Sequence, residues 1–228
     1  MRGFRPLALT FGLLLQGQGA VAQESMTCDG APIVVNAPSD QLVRQSCEAA
    51  GRALALLRPC GLDLGNTISL AVVDTLSLGS DHCLGAYDCN ADRIEVLAPG
   101  SLSETLGTGS AFAALDEDMI FQSVVAHEVT HAALTHTVRP AILPVEAQEY
   151  LAYAVQLSVL PETAVDAAFG PSPDGSALDH GSFNVMILMM APDAYALRAY
   201  AHFQAPEHGC AFVEGLISGL YRFPQLGP

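Results

Sequence analysis

The chain has 228 residues, half of them hydrophobic, with 24 acidic residues against nine basic ones, and every basic residue is an arginine. Such a negative balance repels phosphate backbones and anionic lipid, which argues against nucleic-acid binding and against docking on a membrane surface. With no charge blocks, repeats or low-complexity tracts, the composition predicts a folded chain apart from the mature N-terminus.

In chain order, Met1-Arg2-Gly3-Phe4-Arg5 leads into an apolar run from Leu7 to Leu15 and then Ala20-Val21-Ala22. A basic start, a short apolar stretch and a small-residue cleavage site make the pattern of a secretory signal peptide. The run is well short of the ~20 residues that cross a bilayer as a helix. Cleavage is expected after Ala22, so residues 1–22 read as the signal peptide and 23–228 as a single domain, secreted or periplasmic and not held at a membrane. Two arginines leave with the signal, so the mature part carries seven positive residues against 24 negative, a formal charge of −17. All six cysteines (Cys28, Cys47, Cys60, Cys83, Cys89 and Cys210) lie in it. An even count in an exported chain predicts three disulfides, and the five-residue spacing with Gly85 inside it favours Cys83 with Cys89.

From Asp40 to Leu57 apolar residues recur at helical spacing, with Ser39 or Asp40 as cap and Pro59-Cys60-Gly61 as the stop. Thr67 to Asp74 and Arg93 to Leu97 are short and β-rich and predict strands, with Gly85 to Asp88 as a candidate partner strand. Pro99 to Ser110 reads as a loop or a short irregular helix. Asp116 to Thr135 predicts a strong helix whose acidic start, Asp116-Glu117-Asp118, suits its positive end. Pro140 and Pro144 bracket a turn, and Val145 to Leu160 predicts a second helix ending before Pro161. After a surface loop at Gly170 to Gly175, the segments Phe183 to Met190, Pro192 to Phe203 and Cys210 to Leu220 read as short, mostly buried helices. A helix, a small sheet and a helical C-terminal half give an α+β layout in one domain.

The strong helix contains His127-Glu128-Val129-Thr130-His131. Successive residues of an α-helix turn by ~100° and rise ~1.5 Å, so His127 and His131 lie about 40° apart in azimuth and one turn apart. Two imidazoles so placed can grip one ion, and Glu128, about 60° from His131, can address a water on it without displacing a ligand. Zinc lowers the pKa of such a water toward neutrality, and the carboxylate can take the proton and return it to a leaving group. A metzincin-type third ligand requires Gly at 134 and His at 137, where the chain has Leu134 and Thr137. His136 cannot replace it, because it lies about 140° around the helix from His131. The next helix opens with Pro144-Val145-Glu146-Ala147-Gln148-Glu149-Tyr150-Leu151-Ala152, so Glu146 or Glu149 can return to the metal.

This arrangement resembles the gluzincin branch of the zincin metallopeptidases, in which His-Glu-x-x-His is followed by a glutamate on the next helix. The resemblance spans roughly Ala86 to Leu160. It implies a zincin-like domain and Glu149 as third ligand, because Glu149-Tyr150-Leu151-Ala152 matches the family's Glu-x-x-Ala form, with the other glutamate free to orient a ligating histidine. It further implies a zinc ion, Glu128 as general base and acid, and a peptide or protein substrate pairing with an edge strand within Gly85 to Leu97. A Tyr, His or Arg of the C-terminal half would stabilise the oxyanion. His180, Tyr195, Tyr200 and His202 are candidates among which no spacing rule selects. Two other classes stay open: a zinc-binding exported protein without proteolytic activity, and a metal-free module stapled by disulfides.

Overall fold

In the computed structural model, residues 24–79, 83–138 and 143–224 are described. The expected signal segment and Pro140 of the expected turn lie outside them. The architecture is α+β, a small mixed sheet followed by a predominantly helical half.

Five strands, β1 (Glu24–Thr27), β2 (Ile33–Ala37), β3 (Ile68–Val73), β4 (Gly85–Asp88) and β5 (Arg93–Leu97), form one sheet in the order β1-β2-β3-β5-β4. The two inner pairings, β2 with β3 and β3 with β5, are parallel, and the two outer strands are antiparallel to their neighbours. Parallel neighbours need a crossover. Helix α1 (Asp40–Leu57) supplies the one between β2 and β3. The chain then passes outward to β4 and turns back into β5, which leaves β4 as an edge. Ile33 and Val35 of β2, Ile68, Leu70 and Val72 of β3, and Ile94 and Val96 of β5 alternate onto one buried face, the period-2 pattern of a sheet covered on that side. Glu95 points the other way and is also buried, its carboxylate accepting from Ser77 N (2.7 Å), Ser77 Oγ (2.6 Å) and Leu78 N (3.2 Å) of the loop after β3.

The helical half comprises α2 (Pro99–Thr105), α3 (Glu117–Thr137), α4 (Val145–Ser158), α5 (Glu162–Phe169), α6 (Val185–Met190), α7 (Pro192–Gln204) and α8 (Gly209–Ser218). Helix α3 starts where Asp116 accepts a bond from Met119 N at 2.8 Å, with Glu117 and Asp118 in its first turn. It packs between α1 and α4, and α7 packs on the far side of α4. Tyr150 fixes that far side: its ring makes edge contacts with Phe183, His202, Phe212 and Phe223, and its hydroxyl pairs with His202 Nδ1 at 2.8 Å. With Tyr150 locked into this aromatic cluster, the opposite stripe of α4 faces α3.

Several expectations are corrected. Strands β1 and β2 and helix α5 were not foreseen, and the segment Glu24–Thr27, which the composition left open to disorder, is a strand paired with β2. Helix α6 is not buried: Met186, Met189 and Met190 are exposed. The disulfides are Cys28–Cys47, which ties the turn after β1 to α1, and Cys60–Cys210, which ties the turn after α1 to the start of α8. The expected Cys83–Cys89 bond is not formed, and Cys89 is an exposed thiol. The reason is β4 itself: its four extended residues separate the two cysteines by well over ~7 Å between Cα atoms, beyond what a disulfide spans.

Candidate metal centre

Helix α3 presents His127 and His131 one turn apart, and their Nε2 atoms converge to 3.1 Å. Helix α4 brings Glu149 across, one carboxylate oxygen 3.4 Å from His127 Nε2 and the other 3.4 Å from His131 Nε2. One ligand atom from each of the three residues lies within 4.8 Å of the others, a group that can hold a metal ion. The choice left open between Glu149 and Glu146 falls to Glu149. Glu146 is buried elsewhere, at the first turn of α4, where its backbone oxygen accepts the Tyr195 hydroxyl.

The electrostatics fit a cation. Two imidazole nitrogens and a carboxylate crowded together call for positive charge between them, whether a proton or a metal ion. Burial alone would lower the His127 pKa, but its contacts with Glu149 outweigh that and raise it to about 9. Burial acts to raise the Glu149 carboxyl, and its bonds to both histidines override this and hold it well below the usual carboxylate range.

His127 is oriented from behind. Its Nδ1 lies 2.8 Å from Gln156 Oε1, and since an amide oxygen only accepts, Nδ1 carries a proton and Nε2 is the nitrogen that can ligate once it gives up its own. Gln156 Nε2 in turn donates to Ser123 Oγ at 3.3 Å, and Ser123 donates to Ile120 O at 2.8 Å. Neither Gln156 nor Ser123 was anticipated, the orienting role having been assigned to a glutamate. The signal was present: Gln156 follows Glu149 by seven residues, two turns, and therefore shares its face.

The group opens into a cavity of about 850 Å³, lined on one side by Leu84 and by Gly85 to Tyr87 of the edge strand and on the other by α3 and α4. Glu128 is only 6% exposed and lines this cavity, and burial pushes its carboxyl up. A β-carbon on Gly85 would meet Glu128 Cγ at 2.8 Å, so glycine is what lets β4 pass so close to this side chain. The hairpin beyond β4 is pinned to α3 by Asp92, which accepts from the Tyr87 hydroxyl and pairs with His136 Nε2, both at 2.8 Å. His136 therefore faces the hairpin and stands outside the ligand group, from which its azimuth had excluded it.

The four candidate oxyanion residues do not line the cavity. His202 and His180 belong to the aromatic cluster behind α4, Tyr195 is spent on the Glu146 backbone, and Tyr200 packs in a second apolar cluster with Phe112 and Leu157. The tyrosines of the cavity are Tyr87 and Tyr153. Among the described residues, no helix is long and apolar enough to cross a membrane.

No curated protein and no solved structure matches the chain. Residues 33–225, from β2 through the candidate metal group to the C-terminal region, match a family of unknown function, DUF6639. The chain belongs to that family.

Proposed function

We propose that the protein is an exported, zinc-dependent metallopeptidase of the gluzincin type, with His127, His131 and Glu149 holding the metal and Glu128 as general base and acid. The observation that carries this reading is the convergence of the three ligand atoms within 4.8 Å, with Glu128 on the wall of the same cavity. Two imidazoles and one carboxylate are a donor set of catalytic zinc, which keeps a further position open. Bound there, zinc supplies Lewis acidity that brings the pKa of a water toward neutrality.

The chain's own groups do the rest. Gln156 holds His127 in the ligating tautomer. Glu128, its basicity raised by burial, takes the proton of the attacking water and delivers it to the leaving nitrogen. The free edge of β4 offers backbone hydrogen-bonding groups to an extended peptide, which supports a peptide substrate lying along it as an added strand.

The test is cleavage of a mixed-sequence peptide library by the zinc-loaded mature protein and by Glu128→Gln. The reading expects wild-type cleavage that a chelator abolishes, and a loss of at least about 10³-fold in Glu128→Gln with zinc still bound, a magnitude typical of removing a general base. A zinc-loaded wild type that cleaves nothing, or a Glu128→Gln variant as active as wild type, contradicts it.

A further inference from the structure

Tyr153 lies four residues after Glu149, so it shares the face of α4 that meets the metal group. Its ring stands edge-on to the His127 imidazole, 5.0 Å between centroids, and lines the cavity. Most other side-chain donors there are committed. Tyr87 donates to Asp92, Ser110 to Asp193, Thr105 to Ser101 O, Gln148 to Leu143 O and Gln156 to Ser123. Tyr153 makes no hydrogen bond among the described residues. Its side chain lies near the carboxylates of Glu149, Asp193 and Glu128. All three of those carboxylates line the same cavity.

Addition of water to a peptide carbonyl puts negative charge on the carbonyl oxygen. Among the described lining residues there is no Arg or Lys to meet it, and the charged groups outside the ligand set are the carboxylates of Glu128 and Asp193. A neutral O–H donor held beside a ligating histidine answers that need. We infer that Tyr153 is the catalytic residue that donates a hydrogen bond to the substrate carbonyl oxygen as it becomes an oxyanion.

This rests on the hydrolytic reading above and departs from the expectation of a donor from the C-terminal half. In the step, the water oxygen bonds to the carbonyl carbon while the π pair moves onto oxygen. Tyr153 donates its hydrogen bond to that oxygen and keeps its proton. On collapse the C–N bond breaks and the proton held by Glu128 goes to the nitrogen, giving a carboxylic acid and an amine, and the acid's remaining proton passes to the amine to leave carboxylate and ammonium.

The experiment compares zinc-loaded wild type, Tyr153→Phe and, as a control outside the cavity, Tyr200→Phe. The phenylalanine keeps the ring contact with His127 and removes only the hydroxyl. Expected for Tyr153→Phe is a fall in kcat of about 10²–10³-fold, the size of losing one oxyanion donor, with KM little changed. Affinity for a phosphinic peptide, whose tetrahedral oxygen imitates the adduct, should fall in parallel, while zinc content and thermal midpoint stay at wild-type values. Tyr200→Phe should match wild type throughout. Unimpaired kcat and phosphinate affinity in Tyr153→Phe overturn the assignment alone, and loss of zinc or of thermal stability overturns it in favour of a structural role. A zinc-loaded wild type that hydrolyses no peptide overturns the hydrolytic reading and this assignment with it.

Discussion

At Gly85 one absent methyl group sets the distance between a strand and a carboxylate. A β-carbon there would stand 2.8 Å from Glu128 Cγ and 3.0 Å from Val124 Cγ1, closer than side chains pack. Gly85→Ala must therefore push β4 outward or turn Glu128 away. We expect peptide hydrolysis to fall at least about tenfold, with the destabilisation of about 1–3 kcal/mol usual for overpacking. Because Gly85 approaches Glu128 and not the three proposed ligands, zinc stoichiometry should stay at one per chain, and unchanged turnover would show that Glu128 does not depend on this gap. At this scale the site was partly legible. The azimuths of His127, Glu128 and His131 follow from helical geometry, and the azimuth of His136 correctly set it apart. Gln156 and Tyr153 share a helical stripe with Glu149, but no motif marks a glutamine or a tyrosine, and only packing against α3 shows which face of α4 is turned inward. Gly85 was read as a loop-closing residue and as the start of a candidate strand but not as a point of contact with Glu128, since a close approach between distant segments has no local signature.

Helices α3 and α4 form one unit through the chain His127, Gln156, Ser123 and Ile120, which ties them by side-chain bonds behind the metal group. Gln156→Leu keeps the volume but leaves a buried imidazole N–H without a partner. Zinc affinity is expected to drop by about 10–100-fold, the usual cost of losing a group that orients a ligand, measured by competition with a chromophoric chelator. Affinity equal to wild type would remove Gln156 from the account. Elements with strong internal signals were readable: α1 from its apolar spacing and cap, α3 from Asp116 and its acidic first turn, α4 from the prolines around it. Strand β1 carries no such signal, because all four of its residues are exposed and only pairing with β2 orders them. Helix α5 buries Val165 alone, and so lacks an apolar stripe to read. Apolar α6 was taken for a buried helix because hydrophobicity records that a side chain is apolar, not that a neighbour covers it.

Over the whole molecule, charge and protonation are linked to stability through the metal group. In metal-free protein His127 titrates near pH 9, above its unfolded value of about 6.5, so its stabilising contribution is complete below about pH 6.5 and is lost as pH rises through 9. Glu149 is depressed, so its share is present above the unfolded value of about 4.3 and is lost as pH falls below it. The two shifts describe one pairing and are not counted twice. With a chelator present, the thermal midpoint should therefore be highest between about pH 5 and 6.5 and decline toward pH 9. Added zinc competes with the same protons and should stabilise more as pH rises over that range. A metal-free midpoint that is flat or rises from pH 6.5 to 9 would contradict the pairing. The disulfide pattern was the least legible feature at this scale, since Cys60–Cys210 closes 150 residues and spacing along the chain does not report a contact made by the finished fold.

The central claim is that His127, His131 and Glu149 share one metal ion, and elemental analysis of the purified mature protein beside its Glu149→Ala and Glu146→Ala variants tests it most directly. The account predicts one zinc per chain in wild type and in folded Glu146→Ala, and loss of the metal in Glu149→Ala. Wild-type protein without stoichiometric metal, or zinc kept by Glu149→Ala and lost by Glu146→Ala, would contradict it.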